Sequence, residues 1–444
     1  MDRKTFINHL VSAKAPLAGL MLTSLLAACG ETATTGSSTP APSTAAQLTA
    51  NTVDAEVKPT APAVEDSGSE CTLPALPDYK DLTVANEKFP DPFTLIDGTT
   101  VTHKDEWRCR RAEISAQAQK YELGEKPGPA HKVTGEFIDN IFRVTVEDEG
   151  KTISYDLEVT LPEHGLPPFP AMIGMGAVSL NQAELTQLGV ALIKFPNNDI
   201  AEQINSQSRG KGKFYDLYGA DHTAGALMAW AWGVSRAIDA LATSETPIDA
   251  RRLGITGCSR NGKGAIIAGA FDERIALTIG QESGSGGAAS WRISDAQLAA
   301  GQNVQTLRQI VTENVWFTES FKDFSESVNR LPFDHHAVLG MIAPRGLLII
   351  ENSIEWLGIE SSYVTPVIAQ EIWTALGVAD HLGVSQMLEH PHCQQPASQQ
   401  PAITAFVQKF LLGDETADTR VIKTEAGLVV DKERWVDWST PSLR

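Results

Sequence analysis

Gly257-Cys258-Ser259-Arg260-Asn261-Gly262-Lys263 follows the stretch Arg252-Leu253-Gly254-Ile255-Thr256 and precedes Gly264-Ala265-Ile266-Ile267-Ala268-Gly269-Ala270-Phe271. The first flank predicts a short buried strand and the second a tightly packed helix, so the serine falls on the turn between them. A sharp strand-to-helix turn lifts a hydroxyl to the edge of a parallel sheet and points backbone N–H groups at an incoming carbonyl. The spacing departs from G-x-S-x-G, because Asn261 stands in place of the second glycine and Gly262 comes one residue later. Taken alone, the heptapeptide is equally well a structural Gly-Ser turn.

The surrounding pattern places this turn in a sheet. Residues 133–138 and 153–161 alternate apolar and polar side chains on either side of polar turn residues, which predicts antiparallel strands. Ala171-Met172-Ile173-Gly174-Met175 and Val190-Ala191-Leu192-Ile193-Lys194-Phe195 are nearly continuous apolar runs, as in strands covered on both faces. Beyond them, strands over 252–256, 275–279, 346–350 and 385–389 alternate with helices over about 225–242, 264–271, 364–376 and 399–412, with an insertion before 346. Antiparallel strands followed by strand-helix units predict an α/β fold: a mostly parallel, doubly wound sheet in a three-layer sandwich.

The 444 residues allow one large domain or two smaller ones, and the N-terminus takes some of that length. Arg3, Lys4 and Lys14 precede an apolar run over 15–28 that ends in Leu26-Ala27-Ala28-Cys29. This reads as a signal peptide over 1–28 with a lipobox-type ending, and it is short for a bilayer span. It is similar to bacterial lipoprotein signals, which implies lipidation at Cys29, export, and anchoring in the bacterial cell envelope at the outer membrane or cell surface. Residues 29–70 are rich in Thr, Ser, Ala and Pro and predict a flexible tether. The folded domain is expected over 71–413, with 414–444 as an extension of no assigned role. From Cys29 onward, 33 basic and 54 acidic residues give a formal charge of −21, which disfavours nucleic acid and anionic membrane surfaces as partners.

A serine nucleophile needs an imidazole base, and the imidazole needs a carboxylate to hold its tautomer. In a parallel sheet these groups lie just past the strand ends. Glu282, in Gly280-Gln281-Glu282-Ser283-Gly284, follows the strand next in sequence to that of Ser259. His392, in His390-Pro391-His392-Cys393, follows the last predicted strand. The chain order Ser, Glu, His is that of α/β-hydrolases. Cys258 precedes the candidate nucleophile and Cys393 follows the candidate base, so contact between Ser259 and His392 would bring the two cysteines together. The remaining pair, Cys71 and Cys109, would then staple the N-terminal segment, although four cysteines allow three pairings.

These motifs, with Leu331-Pro332-Phe333-Asp334-His335-His336 and Ile342-Ala343-Pro344-Arg345-Gly346, closely resemble those of the glucuronoyl esterases, carbohydrate esterase family fifteen. The resemblance covers about 71–412. It implies an α/β-hydrolase that cleaves esters between lignin alcohols and 4-O-methyl-glucuronic acid side chains of xylan, without cofactor or metal. It further implies Ser259 as nucleophile, Glu282 as acid, His392 as base and Arg260 as an oxyanion-stabilising side chain. Lys263, Gln305, Glu313 and Trp356 correspond to the uronate-binding residues. A cation, an amide, a carboxylate and an indole suit the hydroxyls and ring face of a sugar acid.

Two departures accompany the resemblance. The third disulfide of fungal members is missing, with Ser290 and Thr365 in the neighbourhoods where it is expected. Some bacterial members use an acid after a later strand, where Glu351 and Glu355 stand here; Glu282 is the preferred acid. Asp334, His335 and His336 offer metal-ligand chemistry but lack a clear third and fourth ligand, so no metal is expected. A glucuronoxylan or lignin-carbohydrate ester is the expected partner and a monomer the expected state. An esterase for another carbohydrate ester, such as acetylated xylan, and a non-catalytic carbohydrate-binding lipoprotein are the alternatives.

Overall fold

The computed structural model describes residues 64–444, so the expected signal peptide, Cys29 and most of the tether lie outside the described residues. One sheet of ten strands organises the domain: β1 Lys132–Ile138, β2 Ile141–Asp148, β3 Lys151–Thr160, β4 Phe169–Met175, β5 Ala191–Phe195, β6 Ile248–Cys258, β7 Ile275–Gln281, β8 Gly346–Glu351, β9 Leu382–Gln386 and β10 Ile422–Thr424. Their order is β1-β2-β3-β5-β4-β6-β7-β8-β9-β10. Pairing is antiparallel from β1 through β3 to β5 and parallel from β5 across to β10. This is the expected mostly parallel α/β-hydrolase sheet with an antiparallel start.

Alternate residues of the central strands feed two cores on opposite faces. Ile173, Ile255, Leu347 and Ile349 pack with the helices Ala226–Thr243, Arg260–Phe271 and Ile359–Leu376. Met172, Leu348 and Ile350 pack with Leu185 of the helix Gln182–Gln187 and with Ile403, Phe406 and Val407 of the helix Gln400–Leu412. The period of two along each strand therefore divides the apolar runs between two helical layers. Close approach is built in at Gly280, where an added Cβ would lie 2.8 Å from Ile266 Cδ1 of the helix after Ser259.

Three expectations need correction. The polar residues between the first two predicted strands include a strand of their own, β2, whose Phe142, Val144 and Val146 point into the core. The last predicted strand sits earlier in the sequence, at β9, and the chain has left the sheet by Glu389, whose φ of 58° takes it out of extended conformation. The domain also extends past both expected boundaries. Glu65 pairs with Lys126 and Arg236, Asp66 with Arg111 at 3.1 Å, and Ser67 N donates to Glu273 Oε1 at 2.6 Å, so 64–70 belong to the domain.

At the other end, the expected extension contributes β10, which pairs Ile422 with Val384 of β9. Beyond it, Trp435 is buried and stacks on Phe89 with ring centroids 6.2 Å apart, while Trp438 Nε1 donates to Phe89 O at 2.9 Å. The segment is therefore part of the hydrophobic core. Trp435→Ala is expected to lower unfolding free energy by about 3–5 kcal/mol, measured by chemical denaturation. An unchanged denaturation midpoint would show that the segment packs without contributing stability.

Candidate active site

β6 ends at Cys258 and the next helix begins at Arg260, leaving Ser259 with φ 60° and ψ −129°. A non-glycine residue held there costs on the order of 1–3 kcal/mol and persists only where its surroundings determine it. Ser259 N donates to Gln281 O at 3.0 Å, and Lys263 N donates to Ser259 O at 3.1 Å. A Cβ on Gly257 would lie 2.3 Å from Asn261 O, and one on Gly262 would lie 2.6 Å from Gln281 O. The glycine that must pass close to β7 is thus Gly262, which accounts for the displaced spacing. Asn261 instead accepts from Asn197 Nδ2 at 2.9 Å. The first turn of the helix leaves its unpaired N–H groups beside Ser259, where negative charge on an attacked carbonyl oxygen is stabilised.

Glu282 follows β7 with φ 46° and is only 1% exposed. Three donors converge on its Oε2: His392 Nδ1 at 2.6 Å, Cys393 N at 2.8 Å and Asn352 Nδ2 at 2.6 Å. A second imidazole, His390, places Nδ1 3.6 Å from Oε1. With Nδ1–H of His392 given to the carboxylate, Nε2 keeps its lone pair as a base. The His392 side chain is 38% exposed, so the base is not deeply buried. Cys258 and Cys393 form a disulfide with Cα atoms 5.7 Å apart, tying the residue before Ser259 to the residue after His392. The second disulfide joins Cys71 to Cys109. Cys258, Glu282, His392 and Cys393 cluster within 4.8 Å, but both sulfurs are spent in the disulfide and offer no thiolate to a metal.

The two alternative acids are engaged elsewhere. Glu355 is exposed and accepts from Asn303 N at 3.0 Å. Glu351 is fully buried, accepts from Ser283 N at 3.2 Å through Oε1, and leaves Oε2 without a partner. Burial first, and the neighbouring Glu282 charge second, push the Glu351 carboxyl well above the ordinary range.

The fold sets Lys263 beside Trp316 and links Gln305 to both Glu313 and Trp356. The Lys263 ammonium donates to Ser283 O and lies 5.8 Å from the Trp316 ring centroid, as does the Arg260 guanidinium. Burial lowers the Lys263 pKa to about 8, against the Glu313 and Glu351 carboxyls, which oppose the shift. Gln305 Nε2 donates to Glu313, and Gln305 N donates to Trp356 O at 3.0 Å. Trp316 Nε1 donates to Gln203 Oε1 at 2.9 Å. Trp316 and Gln203 escaped the sequence reading. Trp316 stands three residues past Glu313, a usable signal; Gln203 carries none, since only folding brings it here.

Residues 144–377 match the family described as fungal glucuronyl esterase. The chain is 48% identical over 360 residues to the 4-O-methyl-glucuronoyl methylesterase of Hypocrea jecorina, covering 81% of this chain and 77% of that one. This protein belongs to the glucuronoyl esterase family. A mutant glucuronoyl esterase from Sporotrichum thermophile, solved with methyl 4-O-methyl-beta-D-glucopyranuronate, superposes with a TM-score of 0.79 at 44% identity, covering 84% of this chain and all of that one. A bacterial family member from Caldicellulosiruptor kristjansonii gives 0.70 at 31% identity, over 82% of this chain and all of that one.

Other expected positions take structural roles within the family fold. Ser290 and Thr365, where a third disulfide was sought, are in contact, with Ser290 N donating to Thr365 Oγ1 at 3.2 Å. Asp334 accepts from the backbone of Trp291 and Arg292 and pairs with the Arg292 guanidinium at 3.1 Å. His335 bridges Glu122 Oε1 at 2.8 Å and Gly287 O at 2.7 Å, and His336 Nε2 donates to Pro90 O at 2.9 Å. Their donors and acceptors pin the insertion to the domain instead of converging on one point.

Glu282 and Glu351 differ in what an amide does to them. Glu282→Gln loses the charge and cannot accept from all three donors, so kcat is expected to fall about 10³- to 10⁴-fold. Glu351→Gln keeps an acceptor for Ser283 N and touches neither Ser259 nor His392, so it is expected to leave kcat nearly unchanged. Steady-state kinetics on a glucuronate ester decide this, and the reverse ranking would transfer the acid's role to Glu351.

Proposed function

We propose that this chain is a serine esterase that hydrolyses esters of (4-O-methyl-)glucuronic acid, as found in lignin-carbohydrate linkages to glucuronoxylan. The observation that carries this reading is the adjacency of two groups of residues. The Ser259 turn and the Glu282–His392 pair supply acyl-transfer chemistry, and the Lys263, Gln305, Glu313 and Trp356 cluster supplies partners for a sugar acid. The name of the Hypocrea jecorina relative and the glucuronate ester bound in the Sporotrichum thermophile structure support the same substrate.

In the first step Ser259 Oγ attacks the ester carbonyl while His392 Nε2 takes the hydroxyl proton. Glu282 holds the resulting imidazolium, and the helix N-terminus with Arg260 stabilises the oxyanion. Collapse of the tetrahedral intermediate breaks the carbon–alkoxy bond, and His392 returns the proton to the departing alcohol. Water then attacks the acyl-enzyme, giving a proton to His392, and the uronic acid leaves as Ser259 recovers it. One copy of the chain holds every group in this scheme, so the monomer is the working unit, and no step calls for a metal or cofactor.

Lys263 separates this reading from a general carbohydrate esterase. Because burial disfavours its charged form, the ammonium persists below about pH 8 and is neutral above it. Losing the charge removes a partner for sugar hydroxyls worth roughly 1–3 kcal/mol. Wild-type kcat/KM for a glucuronate ester is therefore expected to fall as pH rises through about 8. Lys263→Ala is expected to lower it strongly at pH 7 and to abolish that fall. An aryl acetate, lacking sugar hydroxyls, is expected to respond weakly. Equal losses on both substrates would return Lys263 to a purely structural role and favour the neutral-ester alternative. A protein inactive on both would favour the non-catalytic one.

We further propose that the protein is a bacterial lipoprotein of the cell envelope, anchored through Cys29 at the outer membrane or cell surface. The Leu26-Ala27-Ala28-Cys29 ending supports this. Among the described residues, no helix is long and apolar enough to cross a membrane. Cys29→Ser is expected to abolish lipid labelling and partitioning into detergent; unchanged partitioning would exclude this anchor.

A further inference from the structure

Four side chains around the catalytic acid and base carry metal-ligand chemistry. One ligand atom from each of Cys258, Glu282, His392 and Cys393 lies within 4.8 Å of the others. In the oxidised chain the two sulfurs hold each other, and that bond denies a cation its thiolates. Breaking it turns a clamp into a ligand set. Two thiolates, an imidazole nitrogen and a carboxylate oxygen are the donors of a tetrahedral zinc site, whereas Ca²⁺ and Mg²⁺ take oxygen ligands.

The distances permit this with small side-chain movements. Tetrahedral zinc sets two sulfurs about 3.8 Å apart, a separation that rotation about the Cα–Cβ bonds supplies when the Cα atoms of Cys258 and Cys393 are 5.7 Å apart. His392 Nδ1 and Glu282 Oε2, now 2.6 Å apart, would open to about 3.4 Å. Groups that orient a ligating carboxylate are already in place. Cys393 N and Asn352 Nδ2 donate to Glu282 Oε2, and His390 Nδ1 lies 3.6 Å from Oε1. Cys393 is half-buried and the His392 side chain 38% exposed, so the cluster borders on solvent.

We propose that Cys258, Glu282, His392 and Cys393 form a latent zinc site, which the disulfide closes in the oxidised protein and which switches the esterase off once the disulfide is reduced. The effect on catalysis rests on the esterase reading above; the metal site does not. A thiol or phosphine reductant supplies two electrons to the S–S bond and leaves two thiols, a thiol reductant becoming a disulfide and a phosphine becoming its oxide with oxygen from water. Zn²⁺ then displaces one proton from each thiol and occupies Nδ1 of His392, whose proton moves to Nε2. An Nε2–H cannot accept the Ser259 proton, and Glu282 is held by the metal instead of holding the imidazole. Acid and base are lost in one event. Activity is thereby tied to an oxidising compartment, where the disulfide persists.

The test treats the full chain with a water-soluble phosphine and adds one equivalent of Co²⁺, a spectroscopic stand-in for Zn²⁺. The reduced protein is expected to show a thiolate-to-cobalt charge-transfer band and the visible absorption of tetrahedral cobalt, both lost when Zn²⁺ displaces the probe. The oxidised protein and a phosphine-treated Cys258→Ser/Cys393→Ser variant are expected to show neither. His392→Gln keeps both cysteines and is expected to weaken cobalt binding about tenfold or more after reduction. In the esterase assay one equivalent of Zn²⁺ is expected to lower kcat of the reduced chain about tenfold or more, reversibly with a chelator, while leaving the oxidised chain within about twofold. No tetrahedral band in the reduced chain, a band that survives in the double-serine variant, unchanged binding by His392→Gln, or equal inhibition of the oxidised chain would overturn the proposal. An oxidised chain that leaves a glucuronate ester intact would overturn the esterase reading instead, with the cobalt spectrum still deciding the metal site.

Discussion

Burial of the Glu282 carboxylate is the constraint on which the rest of the site depends. A carboxylate at 1% exposure costs several kcal/mol unless donors replace its water. Those donors arrive from two places: Asn352 just past β8, and His392 and Cys393 N from the loop after β9. Satisfying one side chain at the end of β7 therefore fixes where two later connections must run. The base is oriented as a consequence, because His392 is one of the groups that meet the demand.

Backbone strain gathers around the same point. Ser259, Glu282, Glu389 and Cys393 all have positive φ, between 46° and 61°, in positions that flank the nucleophile, acid and base. Such residues stay in place only where other contacts over-determine them. The Cys258–Cys393 disulfide does this for two of the four at once, adjoining Ser259 and including Cys393. It closes a separation of 135 residues, worth on the order of 4–5 kcal/mol in the chain-entropy picture. The strain that exposes the hydroxyl and the covalent tie that holds it are thus set at adjacent residues.

Local pattern carried the parts of this architecture that depend on local physics. Continuous apolar runs marked β4 to β8, and the glycine-flanked serine marked the turn. The order Ser259, Glu282, His392 placed the acid and base past the ends of two later strands, and the pairing of Cys258 with Cys393 was one of three open choices that the structure settles. Long-range contacts were not legible. Glu65 meets Arg236 across 171 positions, and nothing in its Thr- and Pro-rich neighbourhood announces a buried ion pair. β10 spans only Ile422–Thr424, too short for a period to register, and gains its place from β9 alone. β2 was hidden because its outward residues, Arg143, Thr145, Glu147 and Asp148, read as turn polarity while Phe142, Val144 and Val146 face inward.

Three carboxyl groups near the site are kept apart by environment. Glu282 sits among donors and serves His392; Glu313 is exposed and accepts from Gln305; Glu351 is buried beside Glu282, and both effects raise its pKa. Two adjacent buried carboxyls cannot both ionise cheaply, and the cost appears at Glu351, whose carboxyl is pushed well above the ordinary range. Glu351 has a different task. Ser283 N donates to Glu351 while Ser283 O accepts from Lys263, so one residue is held on both sides of its Cα immediately after the strained Glu282. Lys263 thereby joins the two halves of the site: its ammonium faces the sugar-acid cluster, and the carbonyl it grips belongs to the segment that carries the catalytic acid.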